Sequence, residues 1–289
     1  MRESMRDNVE ILYHYCSVET FRNIVQNAVL WLSDIEKSND KQEGMICRDW
    51  VNQDIKGYLE NDDKSLQIWE KWYKNGVGIE KRSPIKMFCA CFSEGRDDLG
   101  QWREYAQNGK GIAIGFDKKI LEELNLINEY YISFGKVIYK NSKRYIQKLV
   151  NENIRKLKYK GVGHVALELA GNYKIPFSFV KAPCFSQERE WRVVVRSAIG
   201  NYNIPGSNKI SFSKVKYRVS DDKLIPYIEM NFERIKQKVI KEILLGPKSK
   251  VEIWDIIHFL DFYGYYKNVE DGYDSTYPIR VERSSSSYR

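Results

Sequence analysis

Apolar residues recur along this chain in two rhythms: short runs with strand-like alternation, and longer stretches spaced i, i+3, i+4 as on one face of a helix. The first run, Ile11–Cys16, mixes aliphatic and aromatic side chains and predicts a strand. Ser17 is placed to cap a helix whose buried face is Phe21, Ile24, Val25 and Ala28, and Val29–Leu32 returns to strand composition. A polar loop, Ser33–Gly44, carries Asn39, Asp40 and Glu43. Residues 45–75 read as helical, with Trp69, Trp72 and Tyr73 near the end, and Gly76–Pro84 breaks the pattern.

Met87–Ser93 is apolar on both faces and predicts a buried strand. Asp97 or Asp98 then caps a helix holding Leu99, Trp102, Tyr105 and Ala106, and Gly109–Gly111 turns the chain into a strand, Ile112–Phe116. A short helix (Lys118–Leu126), a strand (Phe134–Tyr139) and a mostly helical stretch (143–172) follow. Strands are predicted near 185–196, 209–219 and 225–230, an amphipathic helix at 231–239, and a strand Glu242–Leu245 closed by Gly246 and Pro247. A last helix, Glu252–Tyr263, precedes a short strand at 278–282.

The strand near 185–196 has two faces that disagree. Side chains alternate along a strand, so Trp191, Val193 and Val195 form an apolar face while Glu188, Glu190 and Arg192 share the other. Unpaired buried charge is costly. That second face is therefore solvated, an internal ion pair, or a functional site.

Short strands mixed with helices predict an α+β protein. With no internal repeat and no clear linker in 289 residues, a single domain spanning 1–289 is expected, with helical insertions near 45–80 and 143–172 and a frayed tail at 284–289. A content of 43% hydrophobic and 13% aromatic residues supports a packed core, and 47 basic against 39 acidic residues (net +8) favours acidic partners. The basic residues are uneven: between Lys136 and Lys160 there are nine, against the single acidic Glu152. This is either a solvated helix face or a phosphate-contacting surface, with Lys148, Arg155 and Lys156 as candidate nucleic-acid contacts. Tyr139, Tyr145 and Tyr159 lie among them and are able to stack on bases.

The five cysteines lack CxxC spacing and the three histidines are scattered, so neither a disulfide framework nor a metal site is indicated. No apolar run approaches the length of about 18 residues needed for a membrane span, and the N-terminus lacks the apolar core of a signal peptide. A cytoplasmic protein without membrane contact is the expectation.

Four segments stand out: Leu12-Tyr13-His14-Tyr15, the Asn39-Asp40…Glu43 loop, Cys91-Phe92-Ser93-Glu94 followed by Trp102…Tyr105-Ala106, and Glu188-Arg189-Glu190-Trp191-Arg192. With Gly111–Phe116 and Gly246-Pro247-Lys248 they resemble a widespread bacterial family of uncharacterised proteins over roughly residues 11–250. The order of parts is also similar, more distantly, to ADP-ribosyltransferases of the His-Tyr-Glu type, which include nucleic-acid-modifying toxins, and to RNA 2′-phosphotransferases. That resemblance implies a split, mostly antiparallel sheet with helical insertions and NAD as co-substrate, with no metal. It implies that His14 hydrogen-bonds a ribose hydroxyl, that Tyr105 or Tyr15 packs on nicotinamide, and that Glu190 holds the 2′-hydroxyl with Ser93 in support. Glu188 becomes the second catalytic carboxylate, and Arg192 either holds a pyrophosphate oxygen or locks a carboxylate.

The chemistry suits such residues. Breaking the nicotinamide–ribose bond develops positive charge on the sugar, as in glycoside cleavage. A fixed carboxylate stabilises that charge selectively in the transition state, while a second orients or deprotonates the acceptor. The expected function is NAD-dependent ADP-ribosyl transfer to RNA or DNA, in a bacterial toxin or phage-defence effector with an antitoxin partner. The alternatives are a non-enzymatic nucleic-acid-binding or sensor protein of a defence system, and a metal-dependent nuclease built from Asp40, Glu43, Glu188 and Glu190. Each residue also has a structural reading: His14 as a core histidine, Tyr105 as helix packing, Asn39-Asp40 as a turn.

Overall fold

The computed structural model describes residues 10–37, 45–80, 85–129, 131–166, 174–200, 202–220, 222–266 and 279–288. Asn39, Asp40 and Glu43, and the end of the helix expected over 143–172, lie outside the described residues.

The chain forms an α+β fold around an open sheet of 11 strands among the described residues. Strand β1 (Ile11–Cys16) leads through helix α1 (Val18–Asn27) to β2 (Val29–Asp34). Ser17 caps α1 by accepting the Thr20 N–H at 3.0 Å, a bond of the kind that contributes about 1 kcal/mol. Ala28, at φ 48°, turns the chain out of the helix.

The stretch expected as one helix is two, α2 (Met45–Leu59) and α3 (Asp63–Glu80). Asp62 interrupts them, its carboxylate taking the Ser65 N–H at 3.0 Å. The glycines near 76 do not end α3, which continues to Glu80. Next come β3 (Ile85–Ser93), α4 (Leu99–Glu104) capped by Asp98 rather than Asp97, β4 (Ile112–Asp117), α5 (Lys118–Glu122), β5 (Ile132–Lys136) and α6 (Ser142–Lys160).

The expected strand near 185–196 begins only at Glu190, as β6 (Glu190–Ala198). Pro183–Glu188 forms a 3-10 helix, because Pro183 fits its first turn and Arg189, at φ 45°, ends it. Strands β7 (Ser211–Phe212), β8 (Lys216–Ser220), β9 (Lys223–Asn231), β10 (Ile240–Leu245) and β11 (Arg280–Arg283) complete the sheet, with a helix at Ile253–Phe262.

The sheet divides at β3. One edge of β3 pairs antiparallel with all of β6, which carries β5 on its far side. The other edge is shared, Ser93 pairing with Tyr13 of β1 and Cys89 and Phe88 pairing with Ser33 and Asp34 of β2. Beyond β1 run β4, β10 and β11; beyond β2 run β9 and then β7 and β8. Among the described strands every pairing is antiparallel except β10 with β11.

The main core lies on one face of this sheet, where Leu12, Phe88, Phe92, Phe116, Val193 and Val195 meet α1 and the helix Ile253–Phe262. Burying each such side chain contributes about 1.5–3 kcal/mol. Helices α2, α3 and α6 pack on one another in a separate core that includes Val51, Ile55, Trp69, Ile146 and Val150. The tail, expected to fray, is tied down: Ser284 and Ser285 hydrogen-bond the Asp97 carboxylate, and Tyr288 bonds Asn108. Among the described residues no helix is long and apolar enough to cross a membrane.

Candidate functional site

Strand register decides which of the marked residues can meet. Ser93 pairs with Glu190 on one side and with Tyr13 on the other, and directly paired residues point to the same face. Cys91 pairs with Arg192 on that face. Trp191, Val193 and Val195 turn to the opposite face, Trp191 stacking on Phe134 at 5.4 Å.

Glu190 and Arg192 form a buried bidentate pair, Nε donating to Oε1 at 2.8 Å and Nη2 to Oε2 at 3.0 Å. The remaining Arg192 nitrogen, Nη1, donates to the Ser178 carbonyl at 2.5 Å. Arg192 is 2% exposed and its guanidinium is engaged on both sides. Of the two roles expected for it, this geometry matches the locking of a carboxylate.

Glu188 reaches the same cluster from the 3-10 helix, not from the strand. Arg189 in its left-handed conformation turns the chain so that both carboxylates converge on Lys181, whose Nζ donates to Glu188 Oε2 at 2.6 Å and to Glu190 Oε2 at 3.3 Å. The Tyr105 hydroxyl donates to Glu188 Oε1 at 3.2 Å, and the exposed Tyr105 ring forms the lip of the cluster. The Glu190 N–H donates to the Tyr139 hydroxyl at 3.1 Å, which fixes the start of β6.

The two carboxyl groups are pushed in opposite directions. Burial by itself raises the Glu190 pKa, but the charge and hydrogen bonds of Arg192, with help from Lys181, outweigh it and hold the group at about 2. For Glu188 burial wins, with the Glu190 charge adding to it against Lys181 and Tyr105, and the pKa rises.

Ser93 supports the loop rather than the Glu190 side chain. Its hydroxyl donates to the Glu188 carbonyl at 2.7 Å and accepts the Gly95 N–H at 3.0 Å. Gly95 is required there, since a Cβ would lie 2.8 Å from Arg189 and 2.9 Å from Asp98. Tyr15 braces this turn, its hydroxyl donating to the Gly95 carbonyl at 2.7 Å and accepting the Asp98 N–H at 3.1 Å. Tyr15 therefore positions α4, and with it Tyr105, without reaching the carboxylates.

His14 lies elsewhere. One residue beyond Tyr13, it points to the core face beside Phe92 (6.0 Å between rings), while Glu190 points to the other face. Its Nδ1 bonds the Cys91 carbonyl at 2.9 Å and burial lowers its pKa, so the ring is neutral and Nδ1 carries the proton. It borders a small cavity of about 50 Å³ with Thr20, Asn23 and Trp31. The structure thus brings Glu188, Glu190, Arg192 and Tyr105 together and leaves His14 apart.

Lys148 and Arg155 line a groove on α6, whereas Lys156, the next residue round the helix, does not. Among the described residues no group of three or more His, Cys, Asp or Glu side chains is placed to hold a metal ion. Sequence reasoning missed Lys181 and the Ser178 carbonyl, and grouped Tyr139 with the basic stretch rather than with Glu190. Lys181 had one signal: a lone cation closing the mostly apolar stretch Phe177–Val180.

Residues 101–193 match the family described as "Protein of unknown function (DUF2971)". The matched segment includes Tyr105, Tyr139, Lys181, Glu188, Glu190 and Arg192, and excludes His14 and Ser93. No curated protein and no solved structure matches this chain.

Proposed function

We propose that this protein is an NAD-dependent ADP-ribosyltransferase acting on nucleic acid, with Glu188 and Glu190 as its catalytic pair. The observation that carries the reading is the convergence of Glu188 and Glu190 on one Lys181 ammonium, at 2.6 and 3.3 Å, with the exposed Tyr105 at the edge of the pair. Two neighbouring carboxyl groups in unlike surroundings, one locked by Arg192 and one not, let one site provide a fixed anion and a proton carrier together. NAD supplies the nicotinamide–ribose bond, whose cleavage leaves positive charge on the sugar.

Glu190 is the fixed anion. Arg192 and Lys181 hold it ionised and immobile, so it faces developing positive charge without reorganising. Glu188 is the proton carrier: its raised pKa and its place beside the exposed Tyr105 suit it to take a proton from an acceptor hydroxyl or base. A carboxylate offers about four lone-pair sites. Glu188 uses one on Tyr105 and one on Lys181, which leaves capacity for a ribose hydroxyl. The pair and Tyr105 fit a sugar-bearing co-substrate, while His14, on the other face, does not complete the set expected from the resemblance.

The test is direct. Purified protein with NAD labelled in its adenylate half, incubated with RNA, DNA or protein, releases nicotinamide and makes the nucleic acid heavier by one ADP-ribose. No NAD turnover and no transfer to any acceptor overturns the reading. A second reading, a nucleic-acid binder without chemistry, is favoured by the basic face of α6. It predicts binding that NAD does not affect. A toxin or defence role with an antitoxin partner follows from the first reading if expression of the active protein arrests growth.

A further inference from the structure

Tyr139 is a partition between two parts of the molecule. Its hydroxyl takes the N–H of Glu190, while its neighbours Ile138 and Lys140 line an open groove of about 700 Å³ on the other side. Ile138 also bridges Val180, next to Lys181, so this wall of the groove is the back of the segment that holds the carboxylates. The facing wall is α6, where Arg144, Lys148 and Arg155 recur at spacings of four and seven and so share one helix face. Lys140, Arg144, Lys148 and Arg155 are exposed and have no acidic partner among the described residues. Tyr145, Asn141 and Asn151 lie among them, and Glu152 is the one acid in the lining.

We infer that this groove binds the backbone of a single-stranded nucleic acid and feeds it past Tyr139 toward Glu188. Four exposed cations in one concave surface, none in an ion pair with a described acidic residue and with Glu152 the one acid in the lining, fit a polyanion. The row from Arg144 to Arg155 rises about 16 Å along the helix, long enough to face several successive phosphates of one strand. An aromatic ring and the amides of Asn141, Gln147 and Asn151 between the cations match a strand whose bases are unstacked and available, which a duplex does not offer. The inference rests on the proposed function only in naming the strand as acceptor; binding is measured without NAD.

Fluorescence anisotropy of the full chain with labelled single-stranded RNA, single-stranded DNA and duplex, across a salt series, tests it. The single strands bind more tightly than the duplex, and the RNA and DNA arms show which sugar is preferred. The triple variant R144Q/K148Q/R155Q weakens single-strand binding about tenfold or more and flattens the log–log salt slope by about 2, since each phosphate contact contributes about 0.7. The control K214Q/K223Q/K238Q makes the same charge change at exposed positions outside the groove and leaves the slope unchanged. Equal losses in both variants, tighter duplex binding, or no binding by the native chain overturns the inference. Binding lost in the groove variant while the native chain turns over no NAD overturns the enzyme reading and leaves the groove standing.

Discussion

Glu190 and Glu242 are both buried carboxylates held by guanidinium groups, and the contrast between them shows what separates a structural ion cluster from a candidate site. Glu242 on β10 is wholly buried and accepts from Tyr13 at 2.6 Å, from Arg96 at 2.7 and 3.1 Å, and from Arg280 at 2.8 Å. Arg96 also pairs with Glu282. Each cluster therefore sets two carboxylates against two cations. They differ in the second carboxylate. Glu282 is 42% exposed, so water solvates it. Glu188 is only 13% exposed, and burial beside Glu190 raises its pKa while Arg192 lowers that of its neighbour. Equal charge counts give one clamp whose second carboxylate is solvated and one whose second carboxylate is buried.

The largest expected effect is at Glu190. Glu190→Gln leaves Arg192 buried without its counter-charge, a loss of about 3 kcal/mol, and removes NAD turnover; urea unfolding and nicotinamide release measure the two. The same variant alters the acid limb of stability. A carboxyl held at about 2 in the fold, against an ordinary 4.5, contributes stability that is complete above pH 4.5 and is lost as pH falls toward 2. Melting temperatures across that window fall less steeply for Glu190→Gln than for the native protein.

At Glu242 the effect is on stability. Glu242→Ala costs about 3 kcal/mol, the low end for a broken buried pair because Arg96 and Arg280 both reach solvent. At a temperature where the variant stays folded, NAD turnover per folded molecule is unchanged. A specific loss of turnover there erases the distinction between the clusters.

Glu188→Gln reverses that pattern. Turnover falls about 100-fold or more, while stability moves by less than about 1 kcal/mol. Because a raised carboxyl pKa disfavours the ionised form, the native activity falls on acidification at a pH above 4.5, and that limb disappears in the variant. The smallest effect is expected for His14→Asn, a change in turnover of about threefold or less, since His14 faces the opposite side of the sheet. Loss of turnover equal to that of Glu188→Gln places His14 in the site and overturns the face assignment.

Much of this was legible in the residues. Alternation alone put Trp191, Val193 and Val195 in the core and Glu190 with Arg192 on the other face. The caps of α1 and α4 came from side chains that compete for free N–H groups. Glu188 was grouped correctly with Glu190 but on the wrong element, because a left-handed Arg189 has no sequence signature comparable to a glycine. The contacts of Lys181 and Tyr139 with the carboxylates were not foreseen because they are made across the fold, where local sequence is a weak guide.

By itself the sequence determined most of the elements and the two faces of β6, since these depend on neighbours along the chain. Only the tertiary structure decided which faces coincide. The face shared by β1, β3 and β6 depends on pairing register, and a shift of one residue exchanges the two sides of a strand. That register sends Glu190 and Ser93 to one side and His14 to the other. It also sets Glu188 against Lys181, where burial and charge separate two otherwise ordinary carboxyl groups.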